Sequence, residues 1–195
     1  MAATTQKIKF VSLGDRFAEL SVVILTVVAL ALGWWSKTSV ENRSLAFNSA
    51  GISAQTPAGW LITKASGDEV LHVTDRTTSA FGTTYIVQQK TVPADADLGQ
   101  VVSLLTLERG NNLTAFRVLK QQEVTVAGQK ATEIEYVYVE SAANVTHAVL
   151  PAVVHGLDYV FVKNGQAVIV TYRADQSAFD TDLGRFLRFL VSVKF

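Results

Sequence analysis

The chain has 195 residues, no cysteine, 49% hydrophobic residues, and 17 basic against 17 acidic side chains, for a formal net charge of zero. That balance, with a pI near 6.8, excludes the basic footprint on which nucleic-acid binding depends. The missing cysteines exclude a disulfide scaffold and thiolate metal sites, and they suit either side of a membrane.

Residues 1–16 form a short tail, expected to be cytoplasmic, with Lys7, Lys9 and Arg16 as its basic residues. Residues 17–36, FAELSVVILTVVALALGWWS, follow with one charge, Glu19, near the left border. At about 1.5 Å per residue a helix of that length reaches roughly 30 Å, the thickness of a bilayer's hydrocarbon core. A buried helix of a soluble protein would need a polar face, and between Leu20 and Gly33 only Ser21 and Thr26 are polar. A removable signal peptide is the rival, with Ala29-Leu30-Ala31 as its cleavage triplet. The long leader, and a run that continues into Trp34 and Trp35, favour a retained signal anchor.

Trp34 and Trp35 are the expected membrane-interface anchors, because amphipathic rings favour the headgroup level. Ala29 and Gly33 form a small-xxx-small pair and are the candidate helix-packing residues. Three basic residues precede the run; Lys37 and Arg43 follow it closely. That bias predicts a single-pass protein of the cell membrane, N terminus cytoplasmic and C-terminal domain extracytoplasmic. Residues 37–44 read as a polar linker, and residues 45–195 as one domain without internal repeats. Leaving out residues 1–36, with Asp15 and Glu19 among them, takes the net charge only from 0 to −1.

The domain reads as mostly strand with two helices. Residues 45–55 alternate loosely up to the Thr56-Pro57-Ala58-Gly59 turn, and Trp60 behind it is expected to plug the core. Residues 69–74 and 83–89, rich in Val, Ile, Thr and Tyr, suggest paired strands. Leu98, Val101, Val102 and Leu105 fall at helical spacing, with Gly110-Asn111-Asn112 as the stop. Residues 116–126 and 130–140 flank Ala127-Gly128-Gln129, a hairpin signal. Asn164-Gly165 is a stronger one, since both residues accept the positive φ of a type I′ turn. Pro151 lacks an N–H and predicts an edge strand or a bulge. The last helix starts with Ser177 as candidate N-cap and Asp180 and Asp182 in its first turn. Phe179, Leu183, Phe186, Leu187 and Leu190 form its apolar stripe, while Arg185 and Arg188 can face water. Antiparallel strands with two helices make an α+β fold, an antiparallel sheet sandwiched with helices.

The order of these features resembles the PsbP-like fold. It runs from a strand into the Pro-x-Gly-Trp turn at Pro57 to Trp60, then through hairpins, a helix and a strand ending V-x-V-x-G at Val124 to Gly128. The Asn-Gly hairpin and a C-terminal helix closing on Ser192-Val193-Lys194-Phe195 complete it. The same fold occurs in the photosystem II subunit for which it is named, in a Ran-binding nuclear transport factor, and in bacterial lipoproteins and membrane-anchored proteins. The resemblance implies a non-catalytic binding or assembly role; together with the apolar run it makes integral membrane subunits of a complex and the lipid bilayer the expected partners. The photosystem protein's metal and subunit contacts find no residue-level counterpart in this chain.

A search for chemistry agrees with that implication. His72, His147 and His155 share no metal-ligand spacing, so no metal is expected. His147 and His155 bracket Pro151 and would share a strand face only without a bulge. There is no G-x-S-x-G elbow, P-loop or dinucleotide fingerprint, so no cofactor and no catalytic residue are predicted. His72 and Asp75, three apart, point to opposite faces of a regular strand. Glu133 and Glu135 share one face and read as its solvated side, opposite Ile134, Tyr136 and Tyr138. Sequence therefore predicts a membrane-anchored accessory or assembly subunit that is not an enzyme and binds no nucleic acid. The alternative is a tethered binding module for a small ligand or metal ion, with a concave sheet lined by Tyr136, Tyr138, Tyr159, Phe161 and Tyr172.

Overall fold

A computed structural model describes residues 13–41, 43–63, 65–77, 81–141 and 151–195. The chain divides after Arg43 into two units. The first contains helix α1 (Leu13–Glu41), which runs on through residues 37–41, the stretch read as linker. Within it Leu20–Ser39 is long and apolar enough to cross a membrane, and none of that stretch is buried. Leu25, Leu30, Trp34 and Trp35 are each about 70% exposed, so nothing described covers them.

The second unit, Ser44–Phe195, is built on a seven-stranded antiparallel sheet. In chain order the strands are β1 (Ser44–Ser49), β2 (Ile52–Pro57), β3 (Leu61–Ile62), β4 (Glu69–Asp75), β5 (Thr83–Thr91), β6 (Thr114–Val126), β7 (Gln129–Glu140), β8 (Ala152–Lys163) and β9 (Gln166–Asp175). Strands β3-β4-β5-β9-β8-β7-β6 make the sheet in that spatial order, and β1-β2 form a separate hairpin. Helix α2 (Leu98–Asn112) packs on β6, β7 and β8. Helix α3 (Phe179–Ser192) packs on β9 and β2. The domain is thus the expected α+β sandwich, an antiparallel sheet between helices.

Period-two alternation sorts the strand residues into two cores. The face under α3 holds Leu71, Val73, Tyr85, Val87, Tyr159, Val170 and Tyr172, closed by Phe179, Phe186, Phe189 and Leu190 of the helix. Trp60 packs against this core, its ring 4.5 Å from that of Tyr85. The face under α2 holds Ile134, Tyr136, Tyr138, Val160 and Ile169, closed by Val101, Val102 and Leu105.

Local signals decide most boundaries. Asn164 and Gly165 have φ of 52° and 72°, the left-handed pair a type I′ hairpin requires. Ala127-Gly128 turns the same way at 49° and 82°. Helix α2 opens on a capping box: Gln100 N–H donates to the Asp97 carboxylate at 2.7 Å, and Gln100 Oε1 accepts from Asp97 N–H.

Five expectations change. Residues 45–55 are not one strand but a hairpin, turning at Ala50-Gly51 with φ of 51° and 78°. Helix α2 continues through Gly110-Asn111-Asn112 and ends only where the Leu113 N–H reaches back to Arg109 O. Pro151 lies just outside β8, which is interior, between β7 and β9, so its missing N–H costs no ladder bond. Ser177 does not cap α3: the cap is Ala178, and the Ser177 hydroxyl donates instead to Asp175 at 2.7 Å. The buried stripe of α3 is Phe179, Asp182, Phe186, Phe189 and Leu190, whereas Leu187 is 40% exposed. Asp182 goes inside because it accepts the Thr83 hydroxyl at 2.6 Å.

Candidate functional site

The α2 face of the sheet carries two adjacent cross-strand rows. One runs His72, Ile86, Thr171, Asp158, Ile134; the other Thr74, Thr84, Arg173, Gly156, Tyr136. In the second row Gly156 separates Arg173 from Tyr136 and leaves space above the strand. The Tyr136 ring fills it: a Cβ on Gly156 would lie 2.3 Å from that ring. Glycine is required here by a side chain, not by its backbone angles.

Laid over Gly156, Tyr136 joins the two rows. Its hydroxyl donates to Asp158 Oδ1 and accepts from Arg173 Nε, both at 3.3 Å. Asp158 is 1% exposed, and it also accepts the Thr171 hydroxyl at 2.5 Å and Arg109 Nε at 3.3 Å. Arg109 comes from the last turn of α2 and spreads further N–H contacts to Gln88 and Thr171 at 3.4 Å. A buried carboxylate is tolerable only when paired and hydrogen-bonded, and Arg109 supplies the pairing. Burial, and then the Asp158 charge, push the Tyr136 phenol up to about 12, so it remains a neutral donor at ordinary pH.

Beyond Tyr136 the same face opens into a hollow of about 650 Å³ lined by His72, Thr74, Thr84, Ile86, Tyr138 and Arg173, with Arg76, Phe81, Gly82 and Glu140 at its edge. The Tyr138 and Phe81 rings meet edge to face, with centroids 6.4 Å apart. The Arg173 guanidinium lies over the Tyr138 ring at 5.7 Å, a cation–π contact.

The opposite face spends its polar groups differently. Glu133 and Glu135 share a face as expected, but that face is not simply solvated. Tyr159 donates to Glu133 at 2.6 Å and His155 Nε2 lies 2.8 Å from Glu135 Oε1, because β8 sets both groups beside them. The His155 ring stacks on Phe179 at 3.6 Å. His72 and Asp75 take opposite faces; His72 Nδ1 pairs with Glu69 at 3.2 Å and Asp75 with Thr77. Among the described residues no group of three or more His, Asp or Glu could hold a metal, and His147 lies outside them. Ala29, Gly33, Trp34 and Trp35 all lie on α1 and are exposed.

Of the buried chain Arg109–Asp158–Tyr136–Arg173, sequence points only to Tyr136, as one ring of a concave sheet, and not to its three charged partners. Its one local trace is a charge inside an apolar run: Asp158 in GLDYVF and Arg173 in VTYRA.

No protein-family model matches the chain, and no curated protein matches it in sequence. Solved structures do match in shape. The cyanobacterial PsbP of Synechocystis superposes with a TM-score of 0.57 at 15% identity, over 78% of this chain and 92% of its own. LpqN of Mycobacterium tuberculosis, involved in cell envelope biogenesis, gives 0.52 at 14% identity, over 78% and 91%. The Ran-binding protein Mog1p of Saccharomyces cerevisiae gives 0.51 at 11% identity, over 77% and 94%. At such identities a likeness establishes architecture alone. The sheet, its two flanking helices and these superpositions agree on one answer: the domain has the PsbP-like fold.

Proposed function

We propose that the chain is a non-catalytic, single-pass accessory or assembly subunit of a larger membrane complex. Helix α1 would anchor it, N terminus cytoplasmic, with the domain on the extracytoplasmic side, periplasmic in a bacterium. The observation that carries this reading is the apolar stretch Leu20–Ser39, none of which is buried within the chain. An exposed, mostly apolar helix of this length is unfavourable in water, and a bilayer or other membrane helices would cover it. The domain's chemistry points the same way: Asp158, Glu133, Glu135 and Asp182 are all engaged by partners inside the fold. Carboxylates held this way position strands, which supports a binding or assembly role. PsbP-like architecture is compatible with such a role.

The test is purification of the intact protein from its native membranes in mild detergent, with its neighbours identified. Stoichiometric integral membrane partners are expected, and they should be lost when residues 17–36 are replaced by an unrelated span. A protein that elutes alone, at the mass of a single chain in its micelle, would refute the assembly role. Protease treatment of sealed right-side-out vesicles should digest the domain without lysis; protection would reverse the orientation.

A further inference from the structure

We infer that the hollow on the α2 face is a binding site for a small organic anion, a carboxylate or phosphate ester attached to an apolar or aromatic body. This goes beyond the assembly role and does not depend on it.

Charge pairing is the first argument. Arg109 and Asp158 are matched, so their charges are spent on each other. Arg173 and Arg76 both line the hollow, and among the described residues neither forms a salt bridge. Glu140 stands at the same edge as the single carboxylate against two guanidiniums. The lining therefore keeps a net positive charge without counting His72. A guanidinium has five N–H donors, and Arg173 gives Nε to Tyr136 and also hydrogen-bonds the Tyr138 hydroxyl. Its remaining N–H groups line the hollow, where an anionic ligand can accept from them.

Preorganisation is the second. Arg173 is not a loose surface side chain. Tyr136 holds its Nε, the guanidinium lies over the Tyr138 ring at 5.7 Å, and Gly156 makes room for the Tyr136 ring. An arginine fixed before a ligand arrives loses less rotamer entropy on binding.

Shape is the third. About 650 Å³ falls in the range of small-molecule sites. The buried floor is Thr84, Ile86 and Tyr138, with the Phe81 ring set on edge against Tyr138. An aromatic pair beside the Arg173 guanidinium suits a molecule with one anionic end, and inorganic phosphate alone would leave the rings uncovered.

Phenyl phosphate, inorganic phosphate and dihexanoyl phosphatidic acid are titrated into the full-length chain in a nonionic detergent, with backbone amide NMR shifts as the readout. Phenyl phosphate should produce saturable shifts at Thr84, Tyr138 and Arg173, and inorganic phosphate should bind more weakly. Arg76→Ala, an exposed change that leaves the fold intact, should weaken binding about tenfold, and Glu140→Gln should tighten it by a few fold. Arg173→Lys should weaken it too, because a point charge replaces the fork. Saturation by the short-chain phosphatidic acid at the same residues would identify a lipid headgroup as the source; saturation by phenyl phosphate alone would identify a soluble molecule. The site is overturned if none of the three probes gives saturable shifts at these residues. It is equally overturned if binding is the same in Arg76→Ala and Glu140→Gln as in the parent. Either result leaves the co-purification test of the assembly role untouched.

Discussion

One sheet separates two environments made from alternate residues of the same strands. Under α3 the interior is aromatic: Tyr85, Tyr172, Phe179, Phe186 and Phe189 touch ring to ring, with centroids 4.9 to 6.3 Å apart. Under α2 it is part apolar core and part ionic chain, and the face is only partly covered. The difference sets a face explained by packing beside one that packing does not explain. The aromatic face gains from every ring it buries, with Asp182 there held by the Thr83 hydroxyl, whereas an arginine-paired carboxylate, a held arginine and an open hollow are costly features that packing alone does not explain.

If the aromatic face carries the stability, its central ring should be the most damaging one to remove. Phe186 is fully buried and stacks on Tyr172 at 4.9 Å and 14°. Phe186→Ala should cost about 3–5 kcal/mol by urea denaturation of the detergent-solubilised chain. A loss below about 1 kcal/mol would mean that α3 is not what holds the domain together.

Alkaline titration compares the faces through their tyrosines. All five lie on the sheet, two under α2 and three under α3, and burial raises the pKa of each. Tyr136 shows the sign. Below pH 10 its phenol is neutral in both states and its contribution is complete; above 10 the unfolded chain loses the proton while the folded one keeps it until about 12. Stability should therefore fall across that window, by roughly 2–3 kcal/mol from Tyr136 alone. Tyrosinate absorbance should rise together with loss of circular dichroism. A fraction that ionises near pH 10 in the folded protein would show that one of the five is open to water.

Gly156→Ala probes the ionic face. The new methyl would meet the Tyr136 ring at 2.3 Å, so the ring must leave and its bonds to Arg173 and Asp158 must break. A cost of about 1–3 kcal/mol is expected. Combined with Tyr136→Ala it should cost clearly less than the sum of the two single changes, since the clash then has no partner. Additive losses would place the strain elsewhere.

What could be read from the sequence was local. Asn164-Gly165 is visible because two adjacent residues fix their own turn. Ala50-Gly51 makes the same turn as Ala127-Gly128 but is harder to read, because its short flanks SLAFNS and ISAQTP lack the long strand patterns of residues 116–126 and 130–140. Helix α3 is legible as periodicity, but its inward face is not, since Leu187 and Phe189 are equally apolar. The choice between them falls to Thr83, which draws Asp182 inward across 99 residues of sequence. The candidate site lay out of reach for the same reason: Arg109 and Asp158 are 49 residues apart, and Asp158 and Tyr136 are 22 apart. Pairings of that kind exist only after the sheet order is known.

The smallest effect is expected where the dry face makes its one polar error. Tyr85 is fully buried among Trp60, Tyr172, Phe186 and Phe189, and its hydroxyl alone among the described buried side-chain polar atoms has no hydrogen-bond partner. A buried hydroxyl without a partner costs roughly 1–3 kcal/mol relative to water. Tyr85→Phe removes that oxygen and keeps every ring contact, so the melting temperature should stay level or rise, by up to about 1 kcal/mol in stability. Tyr172 is the control on the same face. Its hydroxyl donates to the Phe179 carbonyl at 2.7 Å, so Tyr172→Phe should lose about 1 kcal/mol. Opposite signs for two identical substitutions on neighbouring strands would establish that this face rewards rings and penalises unpaired oxygen. Equal losses would mean that Tyr85 has a water or a backbone group beside it, and that the α3 face is less dry than its ring packing implies.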